Sequence, residues 1–407
     1  MKTLAAVAAL ALAGAAVAQM TGFHPRPKLR PPMVQPRPVP GGGPPFGVPL
    51  FGLSGTLVAA FNAGRAEFEA VETIEGGLGP IFNDSSCVAC HSAGATGGAS
   101  AVTVTRFGRV TAGVFDPLDS QGGSLLQDKA IDPAVLEHVP AQANVVAHRL
   151  ATPVFGAGLI EAIDDQALLN GALRPQPDGV KGRAALVTDV TTGRTRVGRF
   201  GWKAQVATLL GFAGDAYSNE MGVTNRFFPT ENAPNGNQAL LAIWDHVPEL
   251  EDAVDPATGT GDIDKAADFM RYLAAPPTLR PTASAVQGSR LFEQIKCTAC
   301  HVPSLTTGAN AVPALAHQVV PLFSDLLLHD MGSLGDGIVQ GAARAREMRT
   351  APLWGLRARG PFMHDGRART VDAAIRAHEG ESAAARNRYN ALPAMQRQQL
   401  LDYLGSI

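Results

Sequence analysis

Two five-residue runs, Cys87-Val88-Ala89-Cys90-His91 and Cys297-Thr298-Ala299-Cys300-His301, consume all four cysteines of a 407-residue chain. Two thiols three positions apart lie on one side of a helical turn and can both form thioethers to a porphyrin edge. The adjacent imidazole then turns under the plane to bind iron. A zinc site built from two CxxC pairs would not need a histidine directly after each, and a redox dithiol needs only one pair. The spacing therefore predicts two covalently bound haem c groups on Cys87, Cys90, Cys297 and Cys300, with His91 and His301 as proximal ligands. The face opposite each histidine decides the chemistry. A second protein ligand makes a saturated electron relay, and a vacant position makes a reaction site.

The elements that must position these groups repeat along the chain. Residues 56–72 and 284–295 have helical spacing of apolar residues, and each stretch leads into a Cys-x-x-Cys-His run. Residues 263–275 and 393–407 are amphipathic and close the two halves. Phe82 and Phe292 each stand five residues before the first cysteine of their run, and Thr152-Pro153-Val154-Phe155-Gly156 is echoed by Ala351-Pro352-Leu353-Trp354-Gly355. Repetition in the same order predicts two modules of one plan. Gly and Pro crowd the remainder, which predicts long loops. The expected fold is mainly α, two cytochrome c-like haem domains with long loops and little β, spanning residues 51–280 and 281–407, with the boundary in the proline-containing stretch 276–281.

Ahead of them, residues 1–18 have the pattern of a signal peptide: Lys2, an apolar run from Leu4 to Val17, and Ala16-Val17-Ala18 as cleavage pattern. Residues 19–50 are a Pro/Gly-rich linker. The expected location is the periplasm, with no membrane span in the mature chain. With 45% hydrophobic and 17% charged residues the chain has material for buried cores and is not a disordered protein. A net charge of −2 without blocks of like charge predicts no nucleic-acid partner.

Several further runs carry a resemblance. They are Gly79-Pro80-Ile81-Phe82-Asn83, Phe155 to Ala162, Gly198-Arg199-Phe200-Gly201-Trp202-Lys203-Ala204, Glu220-Met221-Gly222, Phe323-Ser324-Asp325, His329-Asp330-Met331-Gly332 and Pro361-Phe362-Met363-His364-Asp365-Gly366. Over most of residues 75–407 the chain resembles the di-haem oxidoreductase family, relatives of the bacterial di-haem cytochrome c peroxidases. The resemblance implies a distal ligand for the C-terminal haem fourteen residues after His364, which is His378. The residues agree: Thr370 is placed to cap a short helix whose Val371, Ala374, Ile375 and His378 share one face, with Gly380 at its end. Met331 and Met363 are rival soft ligands.

For the N-terminal haem, the relatives place a displaceable histidine just after the first motif, and here none lies between His91 and His138. His138 and His148 are the nearest substitutes. The resemblance also implies that Glu220 is an acid over the open iron, although the glutamine that precedes it by ten residues in relatives is replaced by Gln205, fifteen before. It implies Trp202 as a possible electron relay between the haems, against a plain core role. The relatives' inter-haem calcium is bound through a Thr-x-Pro that here reads Arg359-Gly360-Pro361, and the arginine argues against calcium.

Three functions remain open on this reading. One is a peroxidase-like oxidoreductase reacting with hydrogen peroxide at the N-terminal haem, with a small redox protein as electron partner. Another is a non-catalytic electron-transfer cytochrome with both haems six-coordinate. The third is a related enzyme that oxidises other proteins or polymers.

Overall fold

A computed structural model describes residues 45–247 and 250–407. The signal-peptide pattern and nearly all of the Pro/Gly-rich stretch lie outside the described residues.

The leading helices form where the periodicity predicts them, at Gly55–Phe68 and Ala283–Gln294. Each starts on a hydroxyl cap: Ser54 Oγ accepts from the Leu57 N–H and Thr282 Oγ1 from the Ala285 N–H, contacts worth about 1 kcal/mol each. The closing helices are Asp262–Tyr272 and Ala394–Leu404. Gly55–Phe68 packs on Asp262–Tyr272, and Ala283–Gln294 on Ala394–Leu404.

Both crossings are made close by one glycine. A Cβ on Gly64 would lie 2.2 Å from the Lys265 carbonyl oxygen, and one on Gly288 2.0 Å from that of Gln399. A side chain at either position would push the helices apart. The echo segments also meet, because a Cβ on Gly156 would strike the Trp354 ring at 2.7 Å. The true counterpart of Phe292 is Phe68 rather than Phe82. Phe68 sits 5.8 Å from the His91 ring and Phe292 6.5 Å from the His301 ring, centroid to centroid, whereas Phe82 lies in a two-residue strand paired with Lys129.

One large apolar core gathers Phe61, Phe68, Phe155, Tyr217, Phe269 and Trp354 among others, and a smaller one gathers Phe292, Phe323, Tyr389, Leu400 and Leu404. Phe46, from the end of the Pro/Gly-rich stretch, is buried in the first and stacks on Phe155 at 5.4 Å.

Strand content exceeds the expectation. Among the described residues there are twelve strands beside eleven α-helices, so the protein is not simply mainly α. Most strands are two to four residues long. The exceptions are Thr103–Thr111 and Val145–Leu150, which pair antiparallel from Thr103↔Leu150 to Gly108↔Val145, the former also pairing with Val114–Asp116 at its far end. This ribbon forms one wall of the cavity beside Cys87 to His91, through Val104, Arg106 and Arg149.

Candidate functional site

A cavity lies at each Cys-x-x-Cys-His run. The C-terminal cavity, about 1660 Å³ including the open space at its mouth, is lined by Cys297, Cys300, His301 and His378. The helix Val371–Arg376 starts on Thr370, whose Oγ1 accepts from the Ala373 N–H. Its Val371, Ala374 and Ile375 line the same cavity. His378 follows just past the helix end, not within the helix, and is directed by a bond from Nδ1 to the Ala374 carbonyl at 2.8 Å. His301 is fixed likewise, Nδ1 to the Phe323 carbonyl at 2.9 Å.

With Nδ1–H donating to a carbonyl on both rings, Nε2 keeps its lone pair for a metal on each. The two ring centroids stand 6.4 Å apart. A metal–imidazole bond of about 2.0 Å puts the metal roughly 3.2 Å from each ring centre, so two imidazoles sharing one metal need about 6.4 Å. Burial, and for His301 the nearby His378, lowers both pKa values, that of His301 to about 4. Both rings are thus neutral, as metal ligation requires. Met331 and Met363 also line this cavity.

The N-terminal cavity, about 1180 Å³ on the same measure, is lined by Cys87, Cys90, His91 and Glu220. Cys87–Cys90 is a single helical turn closed by the His91 N–H bonding to the Cys87 carbonyl at 3.0 Å. His91 Nδ1 faces the Gly98 carbonyl at 3.3 Å, and burial lowers the ring's pKa to about 4. No second histidine lines this cavity among the described residues. His138 and His148 are both exposed on the surface.

Glu220 comes from the helix Leu209–Met221, capped by Thr208 and ended by Gly222 at φ +64°. Ala213, Ala216, Tyr217 and Glu220 share the cavity-facing side. The Gly79 to Asn83 run holds this helix end: Asn83 Nδ2 donates to Glu220 Oε2 at 2.8 Å, and a Cβ on Gly79 would lie 2.5 Å from the Gly222 carbonyl oxygen. Burial raises the Glu220 pKa, partly offset by Arg106 and by the Asn83 bond.

Gln205 reaches the same cavity in spite of its different spacing, and its buried Oε1 has no hydrogen-bond partner among the described residues. Trp202 lines both cavities, donates from Nε1 to the Leu150 carbonyl at 2.7 Å, and stands edge-on to His364 at 6.2 Å.

Of the charges around these cavities, sequence reasoning singled out Arg359 and Glu220 and missed Arg106, Asp215 and Arg349. Arg106 and Asp215 join Glu220 in the N-terminal cavity. Asp215 was legible as a helix neighbour of Ala216 and Glu220, but Arg106 arrives on the unpredicted strand Thr103–Thr111. Arg349 and Arg359 line the C-terminal cavity, with the charge of the Asp325 carboxylate acting on Arg349. Arg349 donates to the Gly201 and Thr350 carbonyls and Arg359 to that of Pro352, while Arg359 Nε has no partner. Burial, and for Arg349 the neighbouring Arg359, lowers both pKa values to about 10.

Guanidinium groups in a cavity wall that bond only to backbone carbonyls call for an anion. A haem, an apolar ring with two carboxylate arms, fits a cavity that offers paired imidazoles, two thiols and two such cations. The four thiols form no disulfide.

The chain belongs to the di-haem oxidoreductase family: residues 128–407 match the family described as "Di-haem oxidoreductase, putative peroxidase". Membership implies two haem groups. The matched segment contains Cys297 to His301 and begins after His91. Similar solved structures include hydrazine synthase from Kuenenia stuttgartiensis, at 14% identity over 100% of both chains with a TM-score of 0.38. Another is a MauG-like protein associated with microbial copper homeostasis, at 16% identity over 62% of this chain and 88% of that one, TM-score 0.31. A third is the diheme peroxidase BthA from Burkholderia thailandensis, at 15% identity over 70% and 91%, TM-score 0.31. At these scores the likenesses carry no argument about function. No curated protein matches the chain.

Proposed function

We propose that the protein is a periplasmic di-haem c-type oxidoreductase of the peroxidase kind, reacting at the N-terminal haem and exchanging electrons with a small redox protein through the C-terminal one. The observation that carries the reading is the asymmetry of the two cavities. One has facing imidazoles 6.4 Å apart; the other has one imidazole and a buried carboxylate. Export follows from the residue 1–18 pattern, and among the described residues no helix is long and apolar enough to cross a membrane.

Haem, when bound, supplies iron that passes single electrons and, where a face is vacant, accepts an oxygen ligand. The chain's own residues do the rest. Cys87, Cys90, Cys297 and Cys300 would hold the two rings, His91 and His301 would each supply an imidazole to the iron, and His378 would supply the second one at the C-terminal site. Glu220 takes a proton from one oxygen of hydrogen peroxide and returns it to the other, so that water leaves as the O–O bond breaks. Gln205 and Arg106 orient and polarise that oxygen pair. Two electrons from the redox partner and two protons complete the reduction to two waters. Trp202, on the wall common to both cavities, shortens the path between them. The charge of Arg349 and Arg359 disfavours a calcium ion beside them.

The rival reading, with both irons six-coordinate, rests on Met221 and Met270, thioethers that line the N-terminal cavity. Intact mass tests the common premise. Protein matured in an exporting, haem-ligating host is expected to exceed its processed apoprotein by two haems, and a mass with one haem or none contradicts the proposal.

A further inference from the structure

The run His329-Asp330-Met331-Gly332 has no part in the chemistry above, yet His329 is buried at 2% exposure against the C-terminal cavity. Both ring nitrogens are engaged, Nε2 with Asp325 Oδ2 at 2.9 Å and Nδ1 with Glu381 Oε2 at 2.8 Å. A ring that donates from both nitrogens is an imidazolium and has no atom left for a metal. Burial opposes the charge, but the bonds to Asp325, Cys300 and Glu381 outweigh it and push the pKa up to about 12.

The two carboxylates belong to the two segments that aim the axial histidines. Asp325 stands two residues after Phe323, whose carbonyl holds His301 Nδ1, and the Asp325 N–H donates to the Cys300 carbonyl at 2.9 Å. Phe323 and Leu326 have φ of +53° and +59°, left-handed values that non-glycine residues keep only when their surroundings over-determine them. Glu381 stands three residues after His378, and its Oε2 also accepts from the Lys181 N–H at 2.9 Å.

The loops themselves touch backbone to backbone. A Cβ on Gly380 would lie 2.2 Å from the Asp330 carbonyl oxygen and 2.5 Å from the Gly332 nitrogen. His378 has left its helix by this point, because Ala377 is the C-cap. The ring's aim therefore depends on the loop that follows it as well as on the Ala374 bond.

We propose that His329 is a positioning residue that ties the two axial-ligand segments of the C-terminal haem together, Asp325 on the His301 side and Glu381 on the His378 side, and so keeps His378 on the iron. The inference rests on the His301/His378 ligation proposed above. It gives the His-Asp-Met-Gly run a purpose: the histidine bridges, and Gly332, at φ +60° and with a Cβ position 2.9 Å from the Gly380 nitrogen, lets the two loops approach.

The test uses the two-haem protein with cyanide as competing ligand. His329→Gln removes the charge and one of the two bonds, while Glu381→Gln keeps shape and leaves His329 bonded to Asp325. In wild type the low-spin bis-histidine signal in electron paramagnetic resonance is expected to persist in cyanide. In His329→Gln it is expected to convert to the cyanide form at least tenfold faster, and in Glu381→Gln by a smaller factor in the same direction. A merely structural role would lower thermal stability and leave the exchange rate alone. If wild type shows the bis-histidine signal and both variants exchange at its rate, the tie is refuted while the ligand assignment stands. If wild type lacks that signal, the assignment fails and the tie with it. Should His329→Gln fail to retain two haems, the Glu381→Gln rate alone decides.

Discussion

Glu220→Gln is expected to lower the turnover of hydrogen peroxide by roughly a hundredfold or more, the usual loss when a general acid–base group is removed. Glutamine keeps the size of the side chain and can still pair with Asn83, whose Nδ2 lies 2.8 Å from Glu220 Oε2. It cannot accept and return a proton. Cyanide should therefore bind the N-terminal iron of the variant as it binds wild type. The pH profile gives a second readout. Burial raises the Glu220 pKa above its ordinary value of 4.5, and the proton acceptor is the ionised form. Wild-type activity should fall as pH is lowered through that raised pKa, and the variant should lack this acid limb. A fully active Glu220→Gln protein removes the residue from the mechanism.

His378→Gly is expected to convert the low-spin ferric signal of the C-terminal haem to high spin while leaving the N-terminal haem unchanged. The geometry gives no ready substitute on the same axis. His378 alone has its Nδ1 anchored on a helix carbonyl and its ring 6.4 Å from that of His301. Met331 and Met363 line the same cavity, so a variant that stays low spin with an altered g-pattern points to one of them moving in. Added imidazole should restore the wild-type signal by occupying the vacated space. An unaltered spectrum moves the ligand elsewhere.

What the sequence discloses here is local. Two cysteines and a histidine within five residues must share a turn. Val371, Ala374 and Ile375 are brought to one side by helical spacing, whereas His378 lies past the helix end at Arg376 and is carried to the same cavity by the turn beyond it. The leading and closing helices are legible from apolar period, and the two leading ones start on the hydroxyl caps Ser54 and Thr282.

The electrostatic frame was not legible, because its parts come from distant segments. His329 meets Glu381 across fifty-two positions, and Arg349 rests on the Gly201 carbonyl across 148. No local pattern announces either contact. Strand Thr103–Thr111 was missed for a different reason. It is set among glycines and prolines that favour loops, and its pairing with Val145–Leu150 is non-local. Arg106 was lost with it. The Phe82 comparison misled because equal distance from a cysteine is a sequence measure, and the ring that packs on His91 comes from the preceding helix at Phe68.

The central claim is that one haem is closed by His301 and His378 while the other, on His91, keeps a vacant face. Low-temperature electron paramagnetic resonance of the ferric, two-haem wild-type protein tests it most directly. The account predicts one low-spin bis-histidine species and one high-spin species in equal amounts, the high-spin one being lost on addition of cyanide. Two low-spin species in every redox state, neither responding to cyanide, would contradict it.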